Sequence, residues 1–213
     1  MIAIVNYRAG NLTSVQRALS YLGYKSKITS NPGEILKAKR VIFPGVGAAG
    51  TAMKDLKKTG MGEALKEIYL RKVPLLGICL GTQVIFEYSE EDNTPCLGIL
   101  SGTVKAFPYP LKDPEGGEIL KVPHMGWNYV EFIKPHPVFV NILPEAQFYF
   151  VHSYYPSPQY PEHVLGITDY GIKFSSVVAS KSLVAVQFHP EKSGRPGLKI
   201  LDNFCRWRPN DAE

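Results

Sequence analysis

Leu75-Leu76-Gly77-Ile78-Cys79 is a wholly apolar run without alternation, opened by Pro74, and it fits a strand buried on both faces. A strand of that kind is parallel and needs helices above and below it. Beyond Cys79 the period turns helical, with Leu80, Val84 and Tyr88 on one side and Phe86 beside them. Glycines 77 and 81 stand two residues either side of the cysteine and allow strand, turn and helix to approach closely. The stretch predicts a strand–turn–helix elbow, the geometry of the G-x-S-x-G nucleophile, with sulfur in place of oxygen. A thiol so placed sits on top of a sheet, and a helix N-terminus favours its thiolate. The bland alternative, an inert core cysteine, is disfavoured by the two glycines and the change of period.

The chain before this elbow repeats the same alternation. Ile2-Ala3-Ile4-Val5 reads as a first buried strand, and residues 6–11 as a loop in which Asn11, or else Thr13, caps a helix. Leu12, Val15, Leu19 and Leu22 form one apolar stripe, ended by Gly23. Ser26–Thr29 reads as an edge strand, Asn31-Pro32-Gly33 as a turn, and residues 39–43 as a strand ending in Pro44-Gly45-Val46-Gly47. Helical patterns follow at 48–58 and 61–72. The prediction is an α/β fold with a doubly wound, mostly parallel central sheet, flanking helices and functional loops at its carboxyl edge.

After the elbow the pattern changes to short strands, at 103–107, 119–122, 128–133, 147–151, 164–168, 173–180 and 183–188, which adds antiparallel strands in the second half. Residues 108–117 form a polar loop, and Tyr170-Gly171 a hairpin turn. Pro196, at a first helical position, opens a closing helix with Leu198, Leu201 and Phe204. No repeat, linker or low-complexity segment interrupts the chain, so 1–213 is expected to be a single domain.

Bulk properties exclude several function classes. The net charge of +5 comes from 24 scattered Lys and Arg, dense only at Lys54-Asp55-Leu56-Lys57-Lys58, so nucleic acid is not an expected partner. Three distant cysteines give neither a disulfide framework nor a metal pair, and Cys96 and Cys205 read as structural. No metal and no cofactor are expected. No stretch is long and apolar enough to span a membrane, and the first residues run directly into a strand, which predicts a cytoplasmic protein.

Leu183-Val184-Ala185-Val186-Gln187-Phe188 runs into His189-Pro190-Glu191, which would deliver His189 to a sheet edge within reach of Cys79, 110 positions earlier. An imidazole there takes the thiol proton and returns it to a leaving amine. Glu191 is placed to fix the ring's tautomer. Acyl chemistry also needs N–H donors for an oxyanion: Leu80, just after the nucleophile, and Val46 or Gly47 at the end of a neighbouring strand.

Gly77-Ile78-Cys79-Leu80-Gly81-Thr82-Gln83 together with His189-Pro190-Glu191 resembles the class I, or triad, glutamine amidotransferases, and the likeness covers essentially the whole chain. The resemblance implies a flavodoxin-like fold and hydrolysis of L-glutamine to glutamate and ammonia through a thioester. By the same resemblance Cys79 is the nucleophile, His189 the acid/base and Glu191 its orienter. Gly45, Gln83, Tyr149, His152 and Ser153 are then on the glutamine side.

Pro44-Gly45-Val46-Gly47, His124-Met125-Gly126-Trp127-Asn128, residues 149–154 and Gly10-Asn11-Leu12 are similar to those members that pass ammonia to a (β/α)₈-barrel cyclase in histidine biosynthesis. That likeness implies a heterodimer in which Asn11, Trp127 and Lys192 face the barrel near a tunnel mouth, with Tyr149 and His152 on the same interface. In a strand through 148–152, however, Phe148, Phe150 and His152 point one way and Tyr149 and Val151 the other. The first loop and Thr82 depart from the family pattern without touching the triad. The rivals are a glutaminase serving anthranilate or aminodeoxychorismate synthesis, a non-catalytic regulatory relative, and a γ-glutamyl peptidase. PGVG and HMGWN speak against the first, and the complete triad against the second. The third would need no partner to turn over, whereas the Gly-Val-Gly loop predicts a glutaminase nearly idle until docking reorients the 45–47 peptide.

Overall fold

The computed structural model describes residues 1–7, 11–113 and 115–209; residues 8–10 of the first loop, with the Gly10 part of the Gly10-Asn11-Leu12 likeness, and residue 114 of the 108–117 loop lie outside them. The first half alternates as the sequence predicts. In chain order it holds β1 (Ile2–Val5), α1 (Leu12–Tyr21), β2 (Ser26–Thr29), α2 (Pro32–Ile35), β3 (Arg40–Gly45), α3 (Ala49–Thr59), α4 (Met61–Leu70), β4 (Leu75–Cys79) and α5 (Leu80–Gln83). The second half contributes β5 (Tyr88–Ser89), β6 (Thr94–Pro95), β7 (Gly102–Ala106), β8 (His124–Tyr129), β9 (Glu131–Phe132), β10 (Gln147–His152), β11 (Tyr154–Pro158), β12 (Val164–Asp169), β13 (Lys173–Ser180), β14 (Leu183–Val186) and α6 (Gly194–Arg206).

The main sheet has eight strands in the order β2-β1-β3-β4-β14-β13-β12-β9. The first five are parallel, and β13, β12 and β9 continue it antiparallel. Alternate residues of the central strands go to opposite faces. Ile4, Ile42, Leu76, Ile78, Val184 and Val186 pack with Val15 and Leu19 of α1 and Leu201 and Phe204 of α6. Ala3, Val5, Val41, Phe43, Leu75 and Leu183 pack with Ile35, Leu56, Leu65 and Ile68 of α2–α4. Two cores on either side of one sheet account for the unbroken apolar runs, since neither face of β4 meets water. A four-stranded sheet, β11-β7-β5-β6, and a two-stranded ribbon, β10-β8, are built beside it.

Several elements differ from expectation. The helix after Cys79 stops after one turn, because Leu97, Gly98, Ile99 and Leu100 donate their N–H groups to the carbonyls of Val84, Phe86 and Ile85. Tyr88 then belongs to β5. Asn31-Pro32-Gly33 is the entry to α2, its first turn capped by the Asn31 side chain 2.8 Å from the Gly33 N–H. Residues 119–122 form no strand, only a bridge between Ile119 and Lys112. The strand expected over 128–133 is split into β8 and β9, with β8 starting at His124. Pro196 lies two residues inside α6, whose first residue is Gly194.

Candidate active site

Three adjacent parallel strands end together. Gly45 of β3 is level with Cys79, and Val186 of β14 is level with Ile78, so the loops leaving β3, β4 and β14 meet on one rim. They carry Val46 and Gly47, the Cys79 elbow, and Gln187 to His189. Cys79 has φ 54° and ψ −112°, a backbone state that costs a non-glycine residue on the order of 1–3 kcal/mol. It is held there by close packing: a Cβ on Gly81 would overlap the Phe43 carbonyl of β3, and one on Gly77 would come within 2.9 Å of the Ala185 Cβ of β14. Thr82 locks the turn from the other side, its hydroxyl donating to the Val186 carbonyl at 2.6 Å. Cys79 immediately precedes α5, which is only four residues long, so it stands before a single turn and not before a helix with a long dipole.

A cavity of about 300 Å³ opens over the sulfur, walled by Val46, Gly47, Cys79, Leu80, Gln83, Glu91, Pro123, Val151, His152, Ser153, Tyr154 and His189. A larger hollow of about 680 Å³ between α3, α4 and β6 contains none of these groups. Cys79 is 7 % exposed, through this cavity. Its thiol donates to the Val151 carbonyl at 3.9 Å.

His189 is buried, and its Nδ1 lies 2.8 Å from Glu191 Oε1. Burial alone would lower its pKa, but the Cys79 sulfur and the Glu191 carboxylate outweigh burial and raise it to about 10. Nε2 is buried without a hydrogen-bond partner of good geometry among the described residues. An imidazole anchored at Nδ1 by a carboxylate, with a sulfur close enough to raise its pKa, can carry a proton. Its backbone is clamped: the His189 N–H donates to the Tyr149 carbonyl at 2.9 Å, and the Ser193 hydroxyl donates to the His189 carbonyl at 2.6 Å. Cys96 and Cys205 lie elsewhere, and burial pushes their thiols up to about 11 and about 12.

Of the residues assigned to the glutamine side, Gln83, His152 and Ser153 are on the cavity wall. Gly45 is not on that wall; a Cβ placed on it would collide with the buried Tyr7 hydroxyl and come within 3.0 Å of the Leu80 Cβ. Tyr149 lies outside it, its ring 6.0 Å from Trp127 and beneath the Lys192 ammonium at 5.7 Å. Tyr149 and His152 occupy opposite faces of β10, as the strand's alternation requires. His152 turns inward, 2.9 Å from His124 Nδ1 and 2.8 Å from the Tyr154 carbonyl. The ribbon's outer face carries Met125, Trp127 and Tyr129, each more than half exposed, with Tyr149 paired to Trp127. Asn11 is exposed at the start of α1.

Sequence reasoning missed Glu91 and Pro123. Glu91 follows Cys79 by 12 positions in an irregular stretch with no periodic signal. Its Oε2 accepts from the Ala49 N–H at 2.6 Å, and its side chain puts a carboxylate in the cavity wall. Among the described residues no group of three or more His, Cys, Asp or Glu side chains is placed to hold a metal ion, and no helix is long and apolar enough to cross a membrane.

The glutamine amidotransferase class-I family pattern matches residues 3–207. The chain is 52 % identical over 207 residues to the "Imidazole glycerol phosphate synthase subunit HisH" of Maridesulfovibrio salexigens, spanning 97 % of each chain. It is 51 % identical over 214 residues to the protein of the same name from Dehalococcoides mccartyi, spanning 100 % of each. Among solved structures it is similar to a glutamine amidotransferase, with a TM-score of 0.71 at 19 % identity over 96 % of this chain and 100 % of that one. The glutaminase domain of Trypanosoma brucei CTPS with bound acivicin gives 0.66 at 18 % identity over 97 % and 94 %. At those identities the structural likeness speaks for the fold alone.

Proposed function

The chain belongs to the class-I glutamine amidotransferase family, and from that premise we propose that it is the glutamine-hydrolysing subunit of an imidazole glycerol phosphate synthase. It acts in histidine biosynthesis as a single amidotransferase domain of the cytoplasm, with a (β/α)₈-barrel cyclase subunit as partner. The observation that carries this reading is identity of about half the residues, end to end, with relatives of that name.

In the mechanism we propose, the Cys79 thiolate attacks the side-chain amide carbon of glutamine. The oxyanion is met by the Leu80 N–H and by a peptide N–H of Val46 or Gly47. Imidazolium His189, its charge supported by Glu191, protonates the leaving nitrogen, and ammonia departs from a thioester. His189 then takes a proton from water, the hydroxide attacks the thioester carbon and the sulfur leaves. This releases glutamate, frees one proton to the products and restores the thiolate beside imidazolium His189. Gln83, His152 and Ser153 bound the substrate, and the Glu91 carboxylate is the cavity's complement to an α-ammonium group. Trp127, Tyr149, Lys192 and Asn11 form the docking face; an exposed aromatic cluster on a two-stranded ribbon is the kind of patch that a partner covers.

The test is glutamate release by the isolated chain, then with the barrel protein and its nucleotide ligand. Slow turnover alone, rapid turnover in the complex and transfer of ammonia to the cyclase product support the proposal. Cys79→Ala should abolish glutamine use while leaving ammonia-dependent synthesis intact. Glutamine hydrolysis surviving that substitution places the nucleophile elsewhere, and rapid turnover by the chain alone discards gating by the 45–47 loop.

A further inference from the structure

Gln187 is the single polar side chain in the run 183–188, and it is completely buried. Its Nε2 lies 3.7 Å from Cys79 Sγ, and its Oε1 3.1 Å from Gln83 Nε2. The Tyr154 carbonyl decides which end of this amide faces the sulfur. A backbone carbonyl only accepts, so the Gln83 group 2.9 Å from it is the NH₂. The second hydrogen of that NH₂ goes to Gln187, whose facing atom is therefore oxygen. The Gln187 NH₂ is left pointing at the sulfur. Its backbone is equally fixed, with the Gln187 N–H donating to the Ser176 carbonyl at 2.8 Å.

We propose that Gln187 is a sulfur-holding residue of this site: its amide donates to the Cys79 thiolate, favouring it over the thiol and aiming it, while Gln83 is the positioning residue that keeps the donor end of Gln187 turned inward. A hydrogen bond offered to the charged form of a group lowers that group's pKa, and an N–H donor bonds an anionic sulfur more strongly than a neutral one. A buried amide in an otherwise apolar strand needs partners, and here its two ends are used by the elbow's sulfur and the elbow's first helical turn. The inference rests on the reading of Cys79 as nucleophile.

The experiment compares wild type, Gln187→Met and Gln187→Glu in complex with the barrel cyclase. Gln187→Met keeps the length and removes the donor. Gln187→Glu keeps an acceptor for Gln83 and turns an oxygen to the sulfur. The readouts are the pH dependence of Cys79 alkylation by iodoacetamide, followed on the Cys79 peptide, and kcat and KM for glutamine. The alkylation midpoint should rise by about one pH unit in the Met variant and further in the Glu variant. The kcat should fall by about tenfold or more with KM nearly unchanged, a split that loss of packing alone does not produce.

Midpoints and kcat unchanged in both variants overturn the proposal. If neither variant folds, the wild type decides: the Gln187 side-chain amide resonances should shift as Cys79 titrates, and resonances indifferent to that titration overturn the proposal. Activity surviving in Cys79→Ala would sink the nucleophile reading instead, so the two failures are distinguishable.

Discussion

His189 and His152 stand on the wall of the same cavity, both buried, and their charges are driven in opposite directions. His152 is brought down to about 3: burial dominates, its Tyr154 carbonyl contact only partly offsets this, and the neighbouring imidazoles His124 and His189 add to it. His124, paired to it, is lowered to about 4 by burial. His189 suffers the same burial but has a carboxylate on one side and a sulfur on the other, and it is raised to about 10. Partners, and not depth, decide the charge. One imidazole is thereby fitted to carry protons, and the other two to hold shape in a neutral chain from Asn128 through His124 and His152 to the Tyr154 carbonyl.

The most forceful way to break this contrast is Glu191→Gln, which takes the carboxylate from His189 and makes its surroundings resemble those of His152. We expect kcat for glutamine hydrolysis in the complex to drop by about 10³-fold or more, with ammonia-dependent synthesis unaffected. The same logic separates the cysteines. Cys79 should be alkylated about 100-fold faster at neutral pH than Cys96 or Cys205, whose thiols burial holds protonated, as peptide mapping after limited labelling will read.

Acid should expose the other half of the contrast. Folded His124 and His152 bind protons below about 4 and about 3, whereas unfolded histidine does so near 6.5. Their contribution to stability is therefore complete above pH 6.5 and is lost as pH falls from there toward 3–4. Urea denaturation at pH 7 and pH 5 should differ by about 2 kcal/mol per histidine, and His124→Gln should flatten that slope. His189 has the opposite sign: its contribution is complete below pH 6.5 and disappears as pH rises through about 10. The smallest effect is expected of Trp127→Ala, on the outer side of the same ribbon. It should weaken cyclase binding about tenfold in a titration while leaving the His124 and His152 resonances and their pH behaviour as they were.

What could be read in the chain follows its burial pattern. β1, β3, β4 and β14 are buried on both faces, so their apolar runs were unmistakable, and their adjacency brought Gly45, Cys79 and His189 to one rim. β11 carries no such signature: Pro156 and Pro158 interrupt it, and it lies at an edge of its sheet, where proline is tolerated. The overlong helix after Cys79 came from trusting the spacing of Leu80, Val84 and Tyr88, when the chain at 97–100 claims the carbonyls that would have continued it. Tyr149 and His152 were grouped by the family likeness, against the alternation that separates them. Gln187 did leave a signal: one amide in a run of aliphatic residues asks what it is bonded to.

β10 has a further consequence. Its outward side shows Tyr149 to whatever docks on the ribbon, while its backbone oxygens at 149 and 151 receive the His189 N–H and the Cys79 thiol. One strand thus ties the exposed ribbon to the backbone of His189 and the sulfur of Cys79 through its main-chain oxygens alone.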